Sequence, residues 1–373
     1  MKADNLIKVL WDDCLVGTLA MTQDQRVAFQ YSDEWLEKEV SISPFSLPVN
    51  GRVFVPEKTY FNGLFGIFAD SLPDAWGRLL LLRQKGKNPE TYTVLDRLAI
   101  VGDSGMGKLA YEPYIDIAQE HSMDDLDELA EQCQKILNTE YSDKLDELYS
   151  LGGTSGGARP KIMTKYRGEE WIIKFPAHVD GKNIGRMEYE YSVCAGKCGI
   201  TMSRTKLFPS ERCDGYFGIK RFDREDHQGK VKRIHTATVA ALLELDFEQP
   251  SLDYHSLMKL TRLLTADDPI EREQMFRRMC FNVFAHNRDD HSKNFSYLYN
   301  EENDCWRLSP AYDLTYSNTY FGEHTTTVDG NGKDPGICEL VRVGVQAGMN
   351  KDICEEISRE IQKCVGEMLE EYV

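Results

Sequence analysis

No Cys-x-x-Cys pair occurs in the 373 residues, no apolar run approaches the ~18 residues of a membrane-spanning helix, and basic residues are outnumbered. Each absence excludes something. The ten cysteines have neither zinc-ligand spacing nor a disulfide framework. Cys194 and Cys198, four apart, read as core residues on one helix face, and ten free thiols fit a reducing cytoplasm. A net charge of −17 repels nucleic-acid phosphates, so broad non-specific DNA binding is not expected. The first residues lead into a strand-like run rather than a signal-peptide apolar region. No Gly-Lys-Ser/Thr ends the glycine-rich stretch, so it is not a Walker A loop. What remains is an ordinary folded composition, 41% apolar and 10% aromatic, long enough for two or three domains.

Short alternating runs at 6–11, 15–21 and 27–31, separated by Asp12-Asp13 and Gln23-Asp24-Gln25, predict a small antiparallel β module. Beyond it, Asp70-Ser71-Leu72-Pro73-Asp74-Ala75-Trp76-Gly77-Arg78 reads as a capped helix start, with Ser71 or Asp70 as cap. Asp70, Asp74 and Arg78 are spaced to pair along one face. The acidic stretch 123–149 reads as one solvated helix or connector.

Residues 151–161, Leu-Gly-Gly-Thr-Ser-Gly-Gly-Ala-Arg-Pro-Lys, combine four glycines with two hydroxyls, which lets backbone N–H groups approach an anion. Two strands follow around Arg167-Gly168-Glu169, and Lys174 lies in the second, where an unpaired ammonium is costly. A helix with Glu188 and Glu190 comes next. Glycine loop, strand Lys and helix Glu, in that order, build the nucleotide clamp of a protein kinase. Glu188 is preferred over Glu190. The strand 216–224 falls where a kinase hinge holds adenine, which assigns Lys220, Phe222 and Asp223 to the nucleotide-binding set.

Helices are predicted at 236–245, 254–264, 271–285 and 352–372, the last with Ile353, Ile357, Ile361 and Met368 on one face. Between them lies Asn287-Arg288-Asp289-Asp290-His291-Ser292-Lys293-Asn294, then a hairpin at 295–299 and 305–308, then Asp313. Kinases use an Asp near the attacking hydroxyl, an Asn five residues on, and an Asp beyond a hairpin. Asp289 is the expected base, with Asp290 its competitor. Asn294 and Asp313 are the expected Mg²⁺ ligands, oxygen donors for a hard ion. Lys293 would neutralise the transferred phosphoryl. His291 is counted with the nucleotide-binding residues, as a brace for the loop. A strand-rich first half and a helical second half predict two lobes with a cleft between them.

Taken together, four stretches resemble the HipA family, the serine/threonine kinase toxins of bacterial toxin–antitoxin systems. They are Asp70–Arg78, Gly156–Lys161, Arg221-Phe222-Asp223-Arg224, and Asn287–Phe295 with Tyr312-Asp313-Leu314. The resemblance implies an α+β, protein-kinase-like two-lobe fold. Segment 1–110 would be an N-terminal β subdomain with its following helix, 111–225 the kinase N-lobe, and 226–373 a helical C-lobe. It implies ATP and Mg²⁺, with Gly156 and Gly157 at the phosphates, transfer to a protein serine or threonine, and autophosphorylation at Thr154 or Ser155. It also implies a HipB-like antitoxin, through which alone DNA would be contacted, and targets such as aminoacyl-tRNA synthetases. The helix after Arg221–Arg224 departs from the family pattern, with Thr238 and Ala241 where an acid and a Gln are common. Two other readings compete. One is an inactive co-repressor acting with the antitoxin. The other is an aminoglycoside-type kinase, which leaves the Gly-Gly-Ala-Arg-Pro-Lys stretch and the β module unaccounted for.

Overall fold

The structure, a computed structural model, describes residues 6–85, 92–114, 125–152, 157, 159–177, 179–227, 230–319 and 322–373. It divides into two compact units. One comprises Met1–Gly185 with Phe208–Leu245, and the other Arg186–Leu207 with Asp246–Val373. The β module at 1–110 and the strand-lysine sheet, expected as separate domains, therefore fall in one unit.

The first unit begins with the antiparallel sheet foreseen from alternation. Its spatial order is Val27–Tyr31, Cys14–Met21, Leu6–Trp11, Leu109–Glu112. Ile7, Val9 and Trp11 point inward on one face, as a period of two requires. A second antiparallel sheet pairs Lys161–Tyr166 with Glu169–Lys174, and the latter with Tyr216–Lys220. Lys174 stands opposite Lys161 in this register.

Several expectations change here. The stretch 123–149 forms two helices, Leu126–Leu137 and Leu145–Gly152, broken where Thr139 takes a left-handed φ of 66°. They are not solvated connectors: Leu129, Cys133, Ile136 and Leu148 pack with Trp76 and Ile162 in one buried cluster. The acids that suggested solvent lie on the opposite faces. The strand foreseen at 216–224 stops at Lys220, and Arg224–His227 begins a separate hairpin with Lys230–Arg233. The helix foreseen at 236–245 is a strand, Thr236–Thr238, and a single turn, Val239–Leu242. Thr238, one of the departures from the family pattern, caps that turn by accepting from Ala241 N at 3.1 Å.

The second unit is helical. Tyr254–Leu264, Pro269–Phe284 and Lys351–Met368 begin at Asp253, Asp268 and Asn350, each of which accepts a backbone N–H. In the last helix the buried face is Cys354, Ile357, Ile361 and Val365, while Ile353 is 47% exposed. The face is thus rotated from the one anticipated. The helix Ile337–Gln346 was not foreseen, because its β-branched Val341, Val343 and Val345 weaken the helical signal. It packs closely at Gly344, where a Cβ would come 2.5 Å from Cys354 Sγ. The hairpin Ser296–Asn300 with Cys305–Leu308 lies where expected.

Candidate active site

The candidate residues divide between the units. In the first, Thr154, Ser155 and Gly156 lie outside the described residues, and the loop is described from Gly157. Gly157 has a φ of +85°, and a Cβ there would stand 2.6 Å from Lys161 Nζ, so the backbone closes over the Lys161 ammonium. Lys161 is buried.

The Asp70–Arg78 segment, which offered no chemistry from sequence, holds the base of this loop. Gly157 N donates to Asp74 Oδ2 at 2.8 Å, and Trp76 Nε1 donates to Lys161 O at 3.1 Å. Neither proposed cap acts as one. Asp70 accepts from Thr238 N and Oγ1, each at 2.8 Å, and Ser71 Oγ is hydrogen-bonded by Tyr111 at 2.7 Å. The helix itself starts at Ala75.

Lys174 is half-buried on its strand, with Nζ 5.5 Å from the Phe217 ring centroid. Lys220 pairs with Glu169 at 2.8 Å. Phe222 is half-buried at the turn. Asp223 is fully buried inside a knot, bonded by Arg221 Nη2 at 2.8 Å, Arg224 Nη1 at 2.6 Å and Gly107 N at 2.7 Å. Arg221 Nη2 and Arg224 Nη2 both donate to Gly105 O as well. Burial alone would raise the Asp223 carboxyl, but the two guanidiniums win and bring it to about 2. The Arg-Phe-Asp-Arg run therefore pins the loop 105–107.

In the second unit, Glu188 is buried on the helix Ile184–Lys197. Glu190 accepts from Tyr372 Oη at 2.5 Å. The Asp289–Asn294 loop separates two adjacent acids by environment. The Asp289 side chain is 57% exposed, with Oδ1 3.9 Å from His291 Nε2. Asp290 is fully buried, accepting from Tyr254 Oη at 2.9 Å and Thr326 N at 3.0 Å, with His324 Nδ1 at 3.2 Å. Burial, then the Asp290 charge, holds the Tyr254 phenol far above its ordinary range, so it stays a donor. Asn282 and Asn287 extend this chain of bonds.

Asn294 Nδ2 donates to Asp289 O at 2.6 Å, across five residues. His291 Nδ1 accepts from Lys293 N at 3.2 Å, capping the short turn Ser292–Asn294. Lys293 Nζ sits over the Phe247 ring at 4.3 Å. Tyr312 donates to Lys293 O at 2.7 Å and is hydrogen-bonded to Ser296 Oγ, which ties the segment carrying Asp313 to the loop. Asp313 has a left-handed φ of 52°, a strained backbone of the kind that collects at functional sites. Asn294 and Asp313 supply side-chain oxygen, the donor type a magnesium ion takes.

These elements define a kinase-like α+β fold. The family model for the HipA-like C-terminal domain matches residues 153–368, and that for the HipA N-terminal domain residues 7–112. The chain belongs to the HipA family. It is similar to "Putative kinase Y4mE" of Sinorhizobium fredii (24% identical over 344 residues, 84% of this chain and 78% of that one). "Putative kinase Y4dM" of the same organism is 22% identical over 355 residues, covering 90% and 81%. A chain of the solved Shewanella oneidensis MR-1 toxin–antitoxin complex of HipA, HipB and operator DNA matches with a TM-score of 0.74. That match covers 98% of this chain and 90% of the other at 17% identity, a likeness of fold.

Proposed function

We propose that this protein is an ATP-dependent protein kinase that phosphorylates a serine or threonine hydroxyl. The observation that carries the reading is the loop at Asp289–Asn294, where one acid is exposed and its neighbour is locked in the interior. Asp289 takes the proton of the attacking hydroxyl. Asp290 braces the loop from inside through Tyr254 and Thr326. Asn294 and Asp313 hold Mg²⁺, which when bound neutralises charge on the nucleotide phosphates. Asn294 spends its amide N–H on Asp289 O, which keeps its carbonyl oxygen as the metal-binding atom. Lys293 neutralises charge on the transferred group, and His291 braces the turn.

Lys174 holds the phosphates, with Gly156 and Gly157 of the loop. Glu188 is the helix acid of the nucleotide clamp, a role for which Glu190 is less suited because Tyr372 already engages it. Phe222 remains the adenine contact. Asp223 and Lys220 leave the nucleotide set, since the arginine knot and Glu169 occupy them. Thr154 or Ser155 is the autophosphorylated hydroxyl.

The named Sinorhizobium relatives support a kinase. The Shewanella complex contains HipB and operator DNA, which favours a HipB-like partner here, with DNA reached through it. An aminoacyl-tRNA synthetase is one candidate substrate. Incubation with Mg-ATP labelled at the γ-phosphate should label the chain at Thr154 or Ser155, and Asp289→Ala should abolish labelling. Labelling that survives both Asp289→Ala and Asp313→Ala overturns the assignment. Stoichiometric partner binding with no phosphotransfer would favour the co-repressor role.

A further inference from the structure

Three thiols meet at a place that takes no part in the proposed phosphotransfer. Cys194 lies on the helix Ile184–Lys197 and Cys198 just past its end, with Cys198 N donating to Cys194 O at 2.9 Å, while Cys364 lies on the helix Lys351–Met368. Their sulfurs are all within 4.8 Å of one another. Met368, one turn beyond Cys364, brings its thioether sulfur to 3.9 Å from Cys364 Sγ. Cys194 and Cys198 are fully buried, while Cys364 is half-buried and offers a way in.

A single buried cysteine packs as a small apolar side chain and needs no other account. Three that converge on one point, with a thioether beside them, are a donor set. A disulfide suits the helical pair poorly. Residues four apart on a helix hold their Cβ atoms roughly 5–6 Å apart, whereas a disulfide needs about 3.8 Å. A metal ion bridges such a pair easily. With Zn–S bonds of about 2.3 Å in tetrahedral geometry, bound sulfurs stand roughly 3.8 Å from one another, so small side-chain rotations close the site. Softness decides the ion: thiolate and thioether donors select Zn²⁺ and Cu⁺ over Mg²⁺ or Ca²⁺.

We propose that Cys194, Cys198 and Cys364 form a thiolate site for a soft d¹⁰ cation, Zn²⁺ or Cu⁺, with Met368 as a further donor to Cu⁺. Each thiol loses its proton to solvent as the ion binds, so binding weakens as pH falls. The ion fastens the helix that carries Glu188 to the C-terminal helix, beside the bond from Tyr372 to Glu190.

The test uses the reduced, metal-free full-length protein. Co²⁺ titration, with Co²⁺ as a spectroscopic substitute for Zn²⁺, should produce a thiolate-to-metal charge-transfer band saturating at one ion per chain. Zn²⁺ should displace it and raise the melting temperature. A parallel arm titrates Cu⁺ against a chromophoric chelator. Cys198→Ser or the more accessible Cys364→Ser should weaken binding at least about tenfold while the far-ultraviolet circular dichroism is kept. Met368→Leu should weaken Cu⁺ only, which separates the two ions. The proposal is overturned if neither ion binds at one per chain, or if the charge-transfer band survives in the Cys194→Ser/Cys364→Ser double variant.

Discussion

Asp289 and Asp290 differ in what surrounds them more than in what they are. Asp289→Ala should cost about 10²-fold or more in phosphotransfer with the melting temperature unchanged, because its side chain is largely in water. Asp290→Ala should instead lower stability by roughly 3 kcal/mol, since it leaves Tyr254 Oη and Thr326 N buried without their acceptor. Thermal melts and labelling assays on the two variants should give opposite patterns; matching patterns would remove the distinction. Glu244 makes a second residue-scale prediction. It is held by Gly66 N at 2.9 Å, and burial pushes its carboxyl up to about 7. The folded state then keeps a proton the unfolded state has released. Stability is full below the ordinary glutamate range and falls as pH rises towards 7, by roughly 2–4 kcal/mol. Glu244→Gln keeps an acceptor for Gly66 and should flatten that fall in denaturation curves taken between pH 4.5 and 8.

Among the elements, the segment Asp74–Trp76 clamps the glycine-loop base through two hydrogen bonds. Trp76→Phe keeps an aromatic ring in the core but removes the N–H that reaches Lys161 O. A loss of about 1–2 kcal/mol is expected, with faster amide exchange at Gly157. Unchanged exchange there would mean the clamp does not steady the loop. The Arg221–Asp223–Arg224 knot is a second clamp, on the loop 105–107. Asp223→Asn leaves two buried guanidiniums short of compensation and should cost about 3–5 kcal/mol. With its folded value near 2, Asp223 stabilises fully above the ordinary aspartate range and loses that contribution as pH falls from about 4 towards 2. Acid titration of the native protein should therefore show an extra loss in this window that Asp223→Asn lacks.

For the molecule as a whole, charge is the governing property. With −17 at neutral pH, the isolated chain should not retard duplex DNA at physiological salt, whatever its sequence. Retardation by the chain alone would mean a local basic patch strong enough to override that field. Among the described residues no helix is long and apolar enough to cross a membrane.

The β module, the strand bearing Lys174, the helix bearing Glu188 and the Asp289–Asn294 loop with its hairpin were legible from local pattern. Alternation, glycine spacing and short polar motifs act over a few residues, and the chain obeys them wherever they agree. The roles of Asp70, Asp74 and Asp223 were not legible. Their partners lie 168, 83 and 116 residues away, at Thr238, Gly157 and Gly107. Nothing in the neighbourhood of an aspartate tells a helix cap from a long-range clamp. Asp289 and Asp290 pose the same difficulty in its smallest form: spacing favoured one as base, but both are acids in one loop. Their difference arises because Tyr254 and Thr326, from separate elements, close over only one of them. Sequence pattern supplies the chemical types and their order along the chain. Which carboxylate meets water, and which is consumed in holding the fold, depends on what packs against it, because burial and hydrogen bonding are made between segments that no local pattern connects.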